Sequence, residues 1–233
     1  MKYMGSKNRI AKYIVPILEK AYFENECEIF IDACCGGCNL IDKINPNIPR
    51  YANDYNEYLI EMYKAVCNGW LPNNNYTEEH YKYIRENKDH NKILTAYFGF
   101  ALSYGGKWFG GWCRDKDNKR NYVLEAYNNA LKQFPKLKDI VFSNKSIIEI
   151  KPTKKALIYC DIPYKNTTKY KNEFPYDDFY KWCKEMKKKG HIIFISEYEM
   201  PREFIEVWSS NPITSSLTKE TGSKKAIEKL FTL

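Results

Sequence analysis

The feature that most constrains the fold is an apolar segment that ends in an acid and a glycine turn. Residues 28–34 (EIFIDAC) have the composition of a buried β-strand, and Gly36-Gly37 would end that strand. A second, weaker strand signal at 50–54 also ends in an acid, and this Asp54 lies 22 residues after Asp32. Such spacing is typical of Rossmann-like α/β folds, in which the turn approaches a nucleotide and the second acid binds its ribose.

The other segments extend this pattern into a doubly wound α/β sheet that carries a helical insertion. Apolar spacing predicts helices at 57–67, 78–87, 92–103, 121–134 and 177–189, and a short helix from Asn39. Strands are predicted at 139–143, 156–160 and 191–196, with short strands near 206–209, 213–217 and 228–232. The 107 residues between Asp54 and Asp161 exceed two crossover units of about 30 residues each. We therefore predict a Rossmann-like catalytic domain from 1–69 and 135–233, interrupted by a helical insertion at 70–134.

Charge and aromatic content make nucleic acid the first partner to consider. The chain has 37 Lys and Arg against 29 Asp and Glu, a net charge of +8, with 20 Tyr, 12 Phe and 5 Trp. Basic and aromatic side chains together suit a polyanion with stackable bases. An AT-rich genome would produce the same bias, so composition leaves both explanations open. No apolar run approaches the roughly 20 residues of a membrane helix, and residues 1–7 lack the apolar core that a signal peptide has. We expect a cytoplasmic monomer with no membrane contact.

The eight cysteines allow a competing function. Cys35 and Cys38 form a CxxC pair directly after the first strand, where a thiol oxidoreductase would also carry one. That alternative leaves Asp54 and the insertion unexplained. No second Cys or His pair lies at ligand spacing, so no metal site is predicted.

A second candidate site follows the strand at 156–160. Asp161, Ile162, Pro163 and Tyr164 present a carboxylate, backbone carbonyls and an aromatic ring on a turn that proline restricts. An exocyclic amine on a base is a poor nucleophile because its lone pair is delocalised into the ring. Asp161 and the carbonyl of Ile162 could accept its two hydrogens and free that lone pair, while Tyr164 stacks on a base flipped out of the helix.

A third feature is the glycine-rich stretch of the insertion from Tyr104 onward. Glycines alternate there with aromatic and basic side chains that could contact DNA, namely Lys107, Trp108, Trp112, Arg114, Lys119 and Arg120. The alternative is a loop between helices whose tryptophans pack on the small core of the insertion.

Taken in order, four motifs resemble the Dam-like family of adenine-specific DNA methyltransferases. The motifs are Lys2-Tyr3-Met4-Gly5-Ser6-Lys7, Phe30-Ile31-Asp32-Ala33-Cys34-Cys35-Gly36-Gly37, Asp54-Tyr55-Asn56 and Asp161-Ile162-Pro163-Tyr164. The stretch after the last motif is also similar, through Thr167, Thr168 and Tyr170 to Ile195-Ser196-Glu197-Tyr198.

The resemblance implies a cofactor, a substrate and a set of site residues. The cofactor would be S-adenosylmethionine, and the methyl acceptor would be the exocyclic amino nitrogen of adenine in double-stranded DNA. The residues that match cofactor contacts in the family are Tyr3, Lys7, Asp32, Gly36, Asp54 and Asp161. Those that match the catalytic tetrapeptide are Asp161, Ile162, Pro163 and Tyr164.

The sequence departs from the family pattern in two places. Cys34 and Cys38 stand where the family usually has Phe and Gly, and Ile162 replaces the first proline of the tetrapeptide. Because the proposed chemistry uses the carbonyl of residue 162 and not its ring, Ile is chemically tolerable. A catalytically weak or inactive DNA-binding relative is the alternative that this departure leaves open.

Overall fold

A computed structural model provides the structure of the chain. It describes residues 1–115, 117, 119–165, 174–211, 213–214 and 225–233, with the backbone alone at 213–214 and 225–226. Thr167, Thr168 and Tyr170, for which the sequence resembles the methyltransferase family, lie outside the described residues.

A seven-stranded sheet forms the centre of the molecule. Its strands are β1 (Ile29–Asp32), β2 (Arg50–Asn53), β3 (Ile140–Ser143), β4 (Ala156–Asp161), β5 (Ile192–Glu197), β6 (Ile205–Ser209) and β9 (Lys229–Thr232). A separate pair consists of β7 (Ile213–Thr214) and β8 (Lys225–Ala226). The order across the main sheet is β3-β2-β1-β4-β5-β9-β6, in which β9 runs antiparallel to both of its neighbours. The strand order reverses between β1 and β4, which confirms the predicted doubly wound, Rossmann-like sheet.

The α-helices are α1 (Ala11–Glu24), α2 (Glu57–Cys67), α3 (Glu78–Glu86), α4 (Lys92–Ala96), α5 (Tyr122–Gln133) and α6 (Tyr176–Lys188). A π-helical turn, Tyr97–Ala101, continues α4. Single 3₁₀ turns occur at Lys7–Arg9, Ile41–Lys43, Lys88–His90, Tyr104–Gly106, Phe134–Leu137 and Ile147–Glu149.

Hydrophobic cores lie on both faces of the sheet because successive strand residues point in opposite directions. On β1, Phe30 packs into the core that contains α1 and α2, whereas Ile29 and Ile31 face the core that contains α6. Leu157 and Ile158 of β4 divide in the same way. Both faces are therefore covered, which explains why β1 and β4 are continuous apolar runs.

The predicted insertion continues the core of one face. Tyr97, Phe98 and Phe134 belong to the same buried cluster as Leu59 and Tyr63 of α2. The insertion thus shares a hydrophobic core with α2 and with this face of the sheet. The boundaries at 70 and 135 remain a prediction.

Three elements differ from the sequence-based expectation. The helix expected from Asn39 is only a 3₁₀ turn, because Pro46 follows closely and disfavours helix at the residue before it. The helix expected at 92–103 ends its regular part at Ala96 and widens into the π-helical turn. Helix α1 was not predicted, although Ile14 and Leu18 repeat at helical spacing and are fully buried; Pro16 lies inside it. Of the strand expected at 213–217, residues 215–217 lie outside the described part of the chain.

Candidate active site

The candidate site includes Asp32, the last residue of β1. Its side chain is 2% exposed, and within the described part of the chain Oδ1 has no hydrogen-bond partner. Burial raises the pKa of Asp32 well above its usual range, and the nearby carboxylates of Asp161 and Asp54 raise it further. A buried acceptor of this kind is costly unless a donor from outside the chain pairs with it.

Asp54 closes the glycine turn. Its Oδ2 accepts a hydrogen bond from the backbone N–H of Gly36 at 2.8 Å, and its Oδ1 accepts one from Asn56 at 2.8 Å. From the other side, the hydroxyl of Tyr63 on α2 donates to the carbonyl of Gly36 at 2.8 Å. Burial raises the pKa of Asp54, although these backbone hydrogen bonds act in the opposite direction. The turn is therefore held by side chains from the end of β2 and from α2.

Tyr3 fills the space above the two glycines. A Cβ atom on Gly36 would lie 2.7 Å from Cε1 of Tyr3, and one on Gly37 would lie 2.7 Å from Cβ of Tyr3. The ring of Tyr3 also lies 4.8 Å from that of Phe100. The sequence predicts that the glycines let a ligand approach the backbone. In the structure, their missing side chains leave room for the aromatic ring of the N-terminal motif, and the ligand contact at Gly36 stays a prediction.

The CxxC pair has the wrong electrostatic environment for a redox dithiol. Cys35 and Cys38 are both buried, and burial raises the pKa of the Cys35 thiol well above its usual value. Redox-active pairs instead carry a thiol of depressed pKa in a partly exposed position. The oxidoreductase alternative is therefore not supported.

Asp161, the last residue of β4, is ion-paired with Lys7. The distance from Lys7 Nζ to Asp161 Oδ1 is 3.0 Å, and Lys7 is only 7% exposed. Burial raises the pKa of Asp161 to about 6, against the opposing attraction of Lys7. Asp161 is therefore largely ionised at neutral pH and able to accept hydrogen bonds. The N-terminal motif and the tetrapeptide, 154 positions apart, meet in one ion pair.

Tyr164 is buried within this cluster. Its hydroxyl donates to Oε2 of Glu228 at 2.6 Å, and the ammonium of Lys7 lies 4.5 Å from the ring centroid. The ring of Tyr198 meets it edge-on, with 4.6 Å between centroids.

The tetrapeptide turn is held by contacts that do not involve a proline at position 162. Ile162 is 2% exposed and packs into the core on the α6 face of the sheet. The hydroxyl of Tyr176 donates to the carbonyl of Pro163 at 2.7 Å. The backbone N–H of Lys165 donates to Oε2 of Glu197 at 3.0 Å. Hydrophobic burial thus replaces the restriction that a proline ring would have supplied.

Aromatic packing orders the glycine-rich stretch of the insertion. Trp108 is half-buried, with its ring 4.8 Å from Phe100 and 5.5 Å from Tyr58. Trp112 is also half-buried and lies 5.6 Å from Tyr81. Both tryptophans therefore pack on the insertion, as the alternative interpretation expected. Their contact with DNA stays a prediction.

The predicted DNA-contacting cations are all exposed, but most are paired. Arg114 binds Glu78 through Nε at 3.0 Å, and Arg120 binds Glu125 through two bonds of 2.8 and 2.7 Å. Lys119 lies 3.3 Å from Asp117. Lys107 is exposed and makes no ion pair with any described carboxylate. It is the predicted contact that could meet a phosphate without first leaving a partner.

Comparison with known protein families decides the classification. A family model described as D12 class N6 adenine-specific DNA methyltransferase matches residues 3–121. The chain belongs to this family. The methyltransferase accordingly has an α/β fold of the class I type and acts on adenine in DNA. The matched segment contains residues 3–7 of the N-terminal motif, the glycine turn and Asp54, while the tetrapeptide at 161–164 lies beyond it.

Two residues of the methyltransferase site were not predicted as site residues. Glu197 ends β5 as Asp32 ends β1, so an acid after an apolar strand was a usable signal. Burial raises the pKa of Glu197 to about 7. Glu228 precedes β9, and no local pattern marks it. Its position in the site follows only from the insertion of β9 between β5 and β6.

Among the described residues of the methyltransferase, no helix is both long and apolar enough to cross a membrane. In the same part of the chain, no three His, Cys, Asp or Glu side chains gather as a metal site would require.

Proposed function

We propose that the enzyme transfers the methyl group of S-adenosylmethionine to the exocyclic amino nitrogen of adenine at specific sites in double-stranded DNA. The observation that carries the proposal is the proximity of two buried carboxylates with different surroundings. Asp32 has an unpaired oxygen, whereas Asp161 is ionised and paired with Lys7. Their strands are neighbours in parallel register, with Asp32 beside Tyr159, so both carboxylates lie at the same edge of the sheet.

The residues at the ends of β1 and β2 fit the cofactor. S-adenosylmethionine carries a methyl group on a positively charged sulfur and supplies that group as an electrophile. Oδ1 of Asp32, which has no partner among the described residues, would accept a hydrogen bond from the ammonium group of the cofactor. Asp54 would bind the ribose hydroxyls with the lone pairs that Gly36 and Asn56 leave free. Tyr3 and Lys7 would border this site from the N-terminal motif.

Asp161 would activate the target amine. An ionised carboxylate accepts hydrogen bonds only, so it can bind one N–H of adenine while the carbonyl of Ile162 binds the other. Both bonds favour a geometry in which the nitrogen lone pair is available for attack. Formation of the new N–C bond would break the S–C bond of the cofactor and leave S-adenosylhomocysteine. The nitrogen would then release a proton to the Asp161 carboxylate, to which it would already be hydrogen-bonded. Pro163 would keep the turn in the conformation that presents both acceptors.

Tyr164 and the insertion would hold the DNA. The base must leave the helix to reach Asp161, and the ring of Tyr164 would stack on it there. Lys107, Arg114, Lys119 and Arg120 would meet phosphates, with Trp108 and Trp112 supporting the loop that carries them.

The decisive experiment uses labelled S-adenosylmethionine and DNA that lacks adenine methylation, followed by nucleoside analysis of the product. We expect label in N6-methyladenine. Asp161→Asn keeps the shape of the side chain but removes its charge, and should lower the rate at least about 100-fold. The matched control is Asp178→Asn, which removes an exposed carboxylate that pairs with Lys181 on α6 and should leave the rate unchanged.

Two results would contradict the proposal. Full activity of Asp161→Asn would remove Asp161 from the mechanism. A wild-type enzyme that binds cofactor and DNA without forming product would favour the inactive relative, and Ile162→Pro would then test whether a second proline restores activity.

A further inference from the structure

Glu228 reaches the catalytic cluster from the last strand of the sheet. Its backbone is fixed on both sides, since its N–H donates to Oγ of Ser210 at 3.0 Å and its carbonyl accepts from the N–H of Ser210 at 2.8 Å. Strand β9 pairs with β5, where Leu230 lies beside Ser196, and Ser196 in turn lies beside Asp161. These strand pairings place the side chain of Glu228, which is 18% exposed, at the edge of the sheet that carries Asp161.

One carboxylate oxygen of Glu228 contacts two residues of the proposed mechanism, Tyr164 and Lys7. Oε2 accepts the hydrogen bond of the Tyr164 hydroxyl at 2.6 Å and lies 3.7 Å from Nζ of Lys7. The same ammonium lies 3.0 Å from Asp161. Lys7 therefore stands between two carboxylates and above the ring of Tyr164, 4.5 Å from its centroid.

These contacts have two physical consequences. A tyrosine ring held at its hydroxyl as well as at its Cα cannot swing freely, so Glu228 fixes the plane of the Tyr164 ring. An ammonium shared by two carboxylates neutralises neither completely, so Asp161 retains negative charge for other donors.

We propose that Glu228 is a positioning residue of the adenine site. It orients the ring of Tyr164 through the hydroxyl, and it shares the ammonium of Lys7 with Asp161, so that Asp161 can still accept hydrogen bonds from the target amine. This inference rests on the proposed function, in which Asp161 and Tyr164 contact the base.

The first test separates catalysis from binding. In Glu228→Ala the single-turnover methylation rate should fall by roughly 10- to 100-fold, the scale of a misplaced reacting group. The KM for DNA should change less than about threefold, because a carboxylate makes no attractive contact with phosphates. Glu206→Gln is the matched control: Glu206 lies on neighbouring β6, pairs with Lys229 at 2.8 Å, and should leave the rate unchanged.

The second test is the pH profile of Glu228→Gln. The amide oxygen can still accept from Tyr164, but the negative charge is lost. The titratable groups of this cluster come from four segments. They are Lys7 from the N-terminal motif, Asp32 at the end of β1, Tyr159 and Asp161 on β4 with Tyr164 after it, and Glu197 and Tyr198 at the end of β5. Burial raises the pKa of Asp161 to about 6, and the charge of Glu228 acts in the same direction. Its removal should therefore move the acid limb of the single-turnover rate to lower pH, which a purely structural role would not do.

A double-mutant cycle supplies the third test. If the hydroxyl bond to Glu228 positions the ring, the combined loss in Tyr164→Phe and Glu228→Ala should be smaller than the sum of the two single losses. Tyr164→Phe alone should lose more, because it also removes the hydrogen bond of the hydroxyl to Asp161. Additive losses, or an acid limb that stays in place in Glu228→Gln, would overturn the inference. If Glu228→Ala fails to fold, the pH profile of Glu228→Gln still tests the role of Glu228. Asp161→Asn separates the two proposals: if it is inactive while the cycle is additive, the proposed function stands and only the role of Glu228 falls.

Discussion

At the scale of single residues, carboxylates at adjacent strand ends define the chemistry of the site. Asp32, Asp54 and Asp161 end or follow β1, β2 and β4, and burial raises the pKa of each. They differ in what compensates the burial. Backbone N–H groups stabilise Asp54 and Lys7 stabilises Asp161, whereas one oxygen of Asp32 lacks a partner among the described residues. Asp32 is therefore the carboxylate whose charge should depend most on a ligand.

Cofactor binding should release a proton from Asp32. The raised pKa means that the free enzyme holds a proton on Asp32 at a pH where an exposed aspartate has lost it. A cationic ligand favours the ionised form, so its affinity should rise as the pH increases through the raised pKa of Asp32. Calorimetry in two buffers of different ionisation enthalpy measures the proton released. Asp32→Asn should abolish the buffer dependence, and a wild-type enthalpy independent of buffer would refute the assignment.

Gly36 should be intolerant of even the smallest side chain. Its φ of +46° disfavours L-residues, and a Cβ would press against Tyr3. Gly36→Ala should lower the free energy of unfolding by about 2–4 kcal/mol, since backbone strain and steric conflict add. Gly69→Ala is the control, because Gly69 has φ +91° with open space around it and should lose only about 1 kcal/mol. Urea unfolding compares the two variants, and equal losses would show that Tyr3 yields without cost.

At the scale of elements, the insertion is a packed unit whose exposed cations are mostly held by its own acids. Glu78 lies at the start of α3 and Glu125 in the first turn of α5, where the helix dipole also favours negative charge. Arg114 and Arg120 must leave these acids before they can bind phosphate. The unpaired Lys107 carries no such cost.

DNA affinity should therefore respond more to Lys107 than to Arg120. Lys107→Ala should weaken binding and reduce the slope of log affinity against log salt by about one. Arg120→Ala should have a smaller effect, and Glu125→Gln should strengthen binding because it releases Arg120. Lys188→Ala, at the far end of α6, is the control. Fluorescence anisotropy at several salt concentrations gives the slopes; an effect of Lys188 as large as that of Lys107 would argue against the insertion as the DNA contact.

At the scale of the whole molecule, local patterns predicted the elements and missed the contacts between distant segments. Helix α2 was predicted to the residue, because a helical period and the stop signal of Asn68-Gly69 both lie within the segment. Asp32, Asp54 and Asp161 could be found because each ends or follows an apolar strand. That Tyr3 covers the glycine turn depends on a contact between positions 3 and 36, and no local pattern encodes it.

The position of Glu228 is the clearest case of this limit. It reaches the site because β9 runs antiparallel between β5 and β6, a pairing that the sequence of β9 does not specify. The insertion and α2 share one hydrophobic core. The domain boundaries at 70 and 135 therefore stay a prediction.

The N-terminal segment makes contacts that have a thermodynamic consequence. Tyr3 covers the glycine turn, the N–H of Met4 donates to the carbonyl of Gly106 at 3.0 Å, and Lys7 pairs with Asp161. A ligand that binds at the glycine turn and makes this segment more rigid should change the affinity of the insertion for DNA. Thermodynamic linkage then requires DNA to change the affinity for that ligand by the same factor. We expect S-adenosylhomocysteine to tighten DNA binding, and DNA to tighten S-adenosylhomocysteine binding by an equal factor. In Gly106→Ala, a Cβ would lie 2.7 Å from the backbone nitrogen of Tyr3 and would push the N-terminal segment away from the insertion. The coupling factor should then approach one, so that the two ligands bind independently.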